Sequence, residues 1–151
     1  MTAIEPRHAV CPEATARLPY EPSSAGAARR LVRDKLTEWQ LADLVDDADI
    51  VVTELVSNAV KTGCRRRMVV GIRRITEQTV RITVRDGSRT LPAMVTAAPE
   101  DTSGRGLALV HELTCGHWGA TPDTLGKTVH ADLRTSRSAT GPARVLRPRR
   151  P

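Results

Sequence analysis

The segment Thr79 to Asp86, TVRITVRD, alternates without a break: Val80, Ile82 and Val84 are separated by Arg81, Thr83 and Arg85. Successive side chains of a strand point to opposite faces, so this strand is dry on one side and wet on the other. A sheet made of such strands needs a covering layer on one face only. The pattern returns near the end of the chain, where Val129, Ala131 and Leu133 point inward in a strand predicted over 128–133. A strand over 67–75, joined to 79–86 by a short turn at 76–78, and another around 117–120 complete two hairpins. Ala16, Leu18 and Tyr20 alternate with Arg17 and Pro19, which suits a short edge strand where proline is tolerated.

Three other segments carry the helical period. Ala28, Leu31, Val32, Leu36 and Trp39 predict a helix from about Ala25 to Trp39, with Ser23 and Ser24 as N-caps. Val51, Val52, Leu55, Val56, Ala59 and Val60 cover one broad arc of a second helix. Asp46, Asp47 and Asp49 place negative charge near its start, and Gly63 stops it after about Thr62. Ser103 caps a third helix predicted from Gly104 to about Leu113. The order strand, helix, helix, hairpin, long loop, helix, hairpin implies an α+β fold. It is a two-layer α/β sandwich with a mixed, mostly antiparallel sheet and all helices on one face.

The 151 residues are enough for one domain. Phe is absent and the aromatics are Tyr20, Trp39 and Trp118, so Val, Leu, Ile and Ala must fill the core. The domain is expected over 15–133, after a flexible leader over 1–14 and before a disordered, Pro- and Arg-rich tail over 134–151. The formal charge of +6 comes from the six Arg of that tail, and the 17 acidic side chains of residues 1–133 are matched by 17 basic ones. A neutral body with no recognition motif argues against nucleic acid as the partner. No apolar run reaches the roughly 20 residues needed to span a membrane, so the expected location is the cytoplasm. Cys11, Cys64 and Cys115 are odd in number and far apart, which fits reduced thiols rather than a disulfide framework or a zinc site.

Within the second helix, TELVSNAVK sets Glu54 and Asn58 about 40° apart on the edge of the apolar arc, close enough to meet one small ligand. An amide oxygen suits Mg²⁺, and a neighbouring carboxylate can orient a water or accept a hydroxyl proton. An isolated pair of this kind is also an ordinary solvent-facing edge. Asp86 ends a strand where a loop begins. A carboxylate there accepts the exocyclic amine of adenine and mismatches the carbonyl oxygen of guanine, although Asp-Gly is also a common turn. SGRGLALV runs a Gly-x-Gly into an apolar helix, where free N–H groups favour phosphate.

Together and in this order, ELVSNAV, VRDGS, SGRGLALV and GKTVHADL resemble the N box, the two glycine boxes and the final strand of the GHKL superfamily, whose members share the Bergerat ATP-binding fold. The resemblance covers roughly Tyr20 to Leu133 and is greatest to the small bacterial anti-sigma factor serine/threonine kinases. It implies ATP and Mg²⁺ as ligands, with Asn58 holding the metal and Glu54 as general base. It implies Asp86, followed by Gly87 and Ser88, as the adenine reader, with Thr128 of GKT supporting that contact. Gly104, Arg105, Gly106 and Leu107 then form the phosphate side, and residues 87–103 the ATP lid.

The chain departs from the family pattern where DGSRT replaces D-x-G-x-G, placing Ser88 and Thr90 at glycine positions. The implied function is transfer of the γ-phosphoryl of Mg-ATP to a Ser or Thr of an antagonist protein (an anti-anti-sigma factor). A sigma factor is a further partner, and a homodimer is expected because small relatives are often dimers. The alternative is a non-catalytic, ATP-responsive module that sequesters a transcription factor. His111 and His117 read as packing or surface residues.

Overall fold

The computed structural model describes residues 13–61, 67–87, 102–124 and 126–136. Five strands form one sheet in the order β1-β2-β3-β5-β4, with β1 at Glu13–Leu18, β2 at Met68–Arg74, β3 at Thr79–Asp86, β4 at Trp118–Asp123 and β5 at Gly126–Arg134. Every pairing is antiparallel. The helices are α1 (Ser24–Glu38), α2 (Val45–Lys61) and α3 (Thr102–Leu113), with a single 3₁₀ turn at Ala42–Leu44 leading into α2. This is the α+β sandwich expected from the alternation, with a wholly antiparallel sheet.

The inward residues of the strands and the apolar arcs of the helices make one core. Val70, Ile72, Val80, Ile82, Val84, Val129, Ala131 and Leu133 meet Val32 and Leu36 of α1, Val51, Val52, Leu55 and Val56 of α2, and Val110 of α3. Each fully buried Val, Leu or Ile among them contributes about 1.5–3 kcal/mol. Tyr20, Trp39 and Trp118 are half-buried and pack against this aliphatic core. On the opposite face Arg81 and Asp132 stand directly across β3 and β5 and pair through two hydrogen bonds of 2.7 and 3.0 Å.

Several boundaries differ from expectation, each for a local reason. β1 runs from Glu13 to Leu18, so it begins within the segment expected to be a leader and ends before Tyr20. Pairing with β2 over the full six residues carries it that far back. Neither serine caps α1: Ser23 Oγ donates to Glu21 Oε1 and Ser24 Oγ donates to the carbonyl of Pro19, drawing both back toward the preceding turn. The end of α1 is closed by its backbone, with Leu41 N–H donating to Leu36 O at 2.7 Å and Gln40 N–H to Thr37 O at 3.0 Å. Gln40 accordingly takes φ 61°, a left-handed conformation usually given to glycine.

α3 starts at Thr102, so Ser103 lies inside the helix rather than capping it. β4 and β5 are each longer than expected because they pair with one another from Trp118↔Ala131 to Asp123↔Gly126. Arg134, expected to open the tail, is the last residue of β5, and Thr135 donates its hydroxyl to Asp43 beyond it. Thr62, Gly63, Cys11, Cys64 and most of the lid segment lie outside the described residues. No helix among the described residues is long and apolar enough to cross a membrane.

Candidate functional site

The floor of the site is the end of β3 and the start of β5. Asp86 and Lys127 are cross-strand partners on the inner face of the sheet. Lys127 Nζ donates to Asp86 Oδ1 at 3.1 Å and Oδ2 at 3.0 Å, and the two side chains are only 4% and 1% exposed. Desolvation makes such a pair costly to break from one side, by about 3–5 kcal/mol when a single partner is removed. The strands can approach this closely because residue 126 is glycine: a Cβ there would overlap the backbone of Asp86 and Gly87. Tyr20 closes the corner, its hydroxyl accepting the Gly87 N–H at 3.1 Å.

The wall is α2. Its apolar arc anchors it to the sheet, which leaves Glu54 and Asn58 half-buried at the edge. Asn58 Nδ2 is buried and has no hydrogen-bond partner among the described residues. Leaving a buried amide unsatisfied costs about 1–3 kcal/mol, a cost that a ligand meeting it would recover. Glu54 faces α3, and its carboxylate occupies the space where a side chain at Gly106 would stand. The Gly-x-Gly segment thus lets α3 come against the N-box helix. Gly104 and Arg105 belong to the first turn of α3, where backbone N–H groups have no intrahelical acceptor. Gly106 and Leu107 are buried beneath that turn.

Two contacts that sequence reasoning missed join α1 to α2. Arg29 of α1 donates to Thr53 Oγ1 at 2.9 Å, beside Glu54, and Arg33 pairs with Asp49 at 2.6 Å.

Thr128 is not beside Asp86. It stands on the outer face opposite Arg85, which donates to it at 3.5 Å and to Asp123 through Nη1 and Nη2. The position next to Asp86 belongs to Lys127. The signal was in the sequence: if Val129, Ala131 and Leu133 point inward, period two puts Lys127 inward and Thr128 outward. Ser88 lies outside the described residues. The hydrogen-bonded Asp132 and Asp123 raise the guanidinium pKa of Arg81 and Arg85 respectively. Burial, then the nearby Arg81 charge, lowers that of His130. These groups are on the outer face, and the Asp86 charge also contributes to the rise at Arg85.

Residues 18–129 match the model of the histidine kinase-like ATPase domain. The chain belongs to the histidine kinase-like ATPase family. A solved structure, that of the RsbU and RsbW domains of Rv1364c from Mycobacterium tuberculosis, shares this fold with a TM-score of 0.58 at 23% identity. The match covers 85% of this chain and 34% of that one, so the present chain spans about a third of its length. None of the curated proteins matches.

For a histidine kinase-like ATPase domain the implied ligand is ATP. The family's Mg²⁺ also fits the residues present. Mg²⁺ takes oxygen ligands and usually keeps several waters and substrate phosphates beside one or two protein groups. The buried amide of Asn58 can supply such an oxygen, because its two ends exchange by rotation about the terminal bond.

Proposed function

We propose that the chain is an ATP-binding serine/threonine protein kinase of the anti-sigma factor type, with residues 15–133 as its working unit. It would transfer the γ-phosphoryl of Mg-ATP to a hydroxyl on an antagonist protein, and so regulate a sigma factor in the cytoplasm. The observation that carries this reading is the buried amide of Asn58, without a partner among the described residues and one helical turn from a carboxylate that lies against Gly106 in α3.

Asn58 holds Mg²⁺, which when bound neutralises phosphate charge. Asp86 meets the base. The backbone at Gly104 and Gly106, with Arg105 and Leu107, borders the phosphates, and Gly87 and Ser88 begin the lid. Glu54 accepts the proton of the Ser or Thr hydroxyl as its oxygen bonds to the γ-phosphorus and the bond to the β-phosphate oxygen breaks, releasing ADP. Positioning and charge neutralisation supply most of the acceleration in such transfers. Assembly as a homodimer is part of the same proposal.

The test is incubation with labelled ATP, Mg²⁺ and candidate antagonist proteins. Wild type labels one of them on Ser or Thr, Asn58→Ala loses the Mg²⁺ dependence of ATP binding, and Glu54→Gln binds ATP without transferring phosphate. ATP binding with no transfer to any candidate favours the second reading, a non-catalytic module that sequesters a transcription factor. Ser88 and Thr90 in place of lid glycines support that reading.

A further inference from the structure

In the free chain Asp86 is closed to any base. Both of its carboxylate oxygens accept from Lys127 Nζ, at 3.1 and 3.0 Å, and the Lys127 and Asp86 side chains are 4% and 1% exposed. A base edge cannot reach the carboxylate while the ammonium covers it, so base recognition and the ion pair exclude one another.

The strand register and the close approach at Gly126 fix the two backbones. They do not fix the ammonium, which ends a flexible four-carbon stem and is strongly hydrated in water. Adenine offers Asp86 an N6–H donor in place of the Nζ–H donors. That exchange replaces a charge-assisted hydrogen bond by one to a neutral donor, which is about half as strong. The apparent affinity of a site is its intrinsic affinity multiplied by the fraction of molecules competent to bind, and the closed pair keeps that fraction low.

We propose that Lys127 is an autoinhibitory residue: its ammonium occupies Asp86 in the free protein and has to be displaced before the base is read. The inference rests on the nucleotide-binding reading above and adds to it a competitor built into the chain.

Calorimetric titration of the full chain with ATP and Mg²⁺ tests it, in wild type and in three variants. Lys127→Ala and Lys127→Val bring no donor to Asp86 and vacate the space, whereas Lys127→Arg keeps a cation there. The two short variants should bind ATP at least about tenfold more tightly than wild type, and Lys127→Arg no more tightly. ITP, which offers Asp86 a 6-oxo acceptor, should gain less than about threefold from the same changes. The short variants should melt earlier than wild type without nucleotide, because Asp86 loses its counter-ion, and saturating Mg-ATP should raise their midpoints by more than it raises that of wild type. A lysine that serves only the fold would lower the midpoint and leave ATP affinity unchanged. That result, or an equal gain for ITP, overturns the role of Lys127. Where the short variants do not fold, acylation of wild-type amines decides: Lys127 should react more slowly than the exposed Lys61 in the free chain and faster once Mg-ATP is added, and unchanged protection overturns the inference. No ATP binding by any of the four proteins overturns the nucleotide-binding reading and this inference together, whereas equal ATP binding by wild type and the short variants overturns this inference alone.

Discussion

The carboxylate of Glu54 on α2 fills the volume that any side chain at Gly106 on α3 would need. Two helices separated in the chain by the β2–β3 hairpin thus meet at an acid and a glycine. Gly106→Ala must displace the Glu54 carboxylate, which as the end of a flexible, half-buried side chain can swing aside, while the helix gains up to about 1 kcal/mol in propensity. We expect stability in urea melts to hold or rise by up to that amount, while nucleotide-dependent phosphotransfer falls because Glu54 has been moved. A loss of several kcal/mol would show that Glu54 cannot move and that the two helices are locked by this contact.

Asn58 is expected to trade stability for binding. Asn58→Leu removes a buried donor that has no partner among the described residues and fills a similar volume with apolar atoms. The apo protein should hold its midpoint or gain about 1 kcal/mol, because the desolvation cost of the orphaned amide disappears. Its nucleotide binding should cease to respond to Mg²⁺. A loss of several kcal/mol would mean that the amide serves the fold.

At the end of α1, Gln40 holds φ 61° so that the last carbonyls are satisfied by backbone N–H groups. Glycine adopts this conformation without a Cβ clash. Gln40→Gly should raise stability by about 0.5–1 kcal/mol, and Gln40→Val should lower it, in thermal or denaturant melts. The reverse order would contradict the left-handed closure.

His130 gives the fold a pH dependence. Burial is the main cause of its lowered pKa, the Arg81 charge adds to it, and Asp132 opposes it. Below the unfolded value of 6.5 the unfolded chain takes up the proton first, so stability falls as pH drops from there through the folded pKa. The contribution is fully present above 6.5. His130→Gln should show a shallower loss of stability on acidification than wild type. Parallel curves for the two proteins would remove His130 from the account.

The sequence by itself determined the layers. Unbroken period two in β3 and β5, and the period of 3.6 in α1 and α2, require a sheet that is dry on one face and helices that cover it. These patterns hold because burial rewards every apolar residue in register. Glu54, Asn58 and Asp86 were legible as candidates for the same reason, as polar groups at the borders of segments whose apolar faces were plain.

Only the tertiary structure decided what each of them meets. Element ends moved wherever cross-strand pairing or a backbone cap outweighed a local signal, as at Glu13 and Ser23. Thr128 looked like the partner of Asp86 because the eye follows a motif, while the pleat puts Thr128 on the far face and Lys127 on the near one. Contacts such as Glu54 with Gly106 join residues distant in the chain, and no local period encodes them. They follow from how closely two helices and two strands can approach once the core has closed.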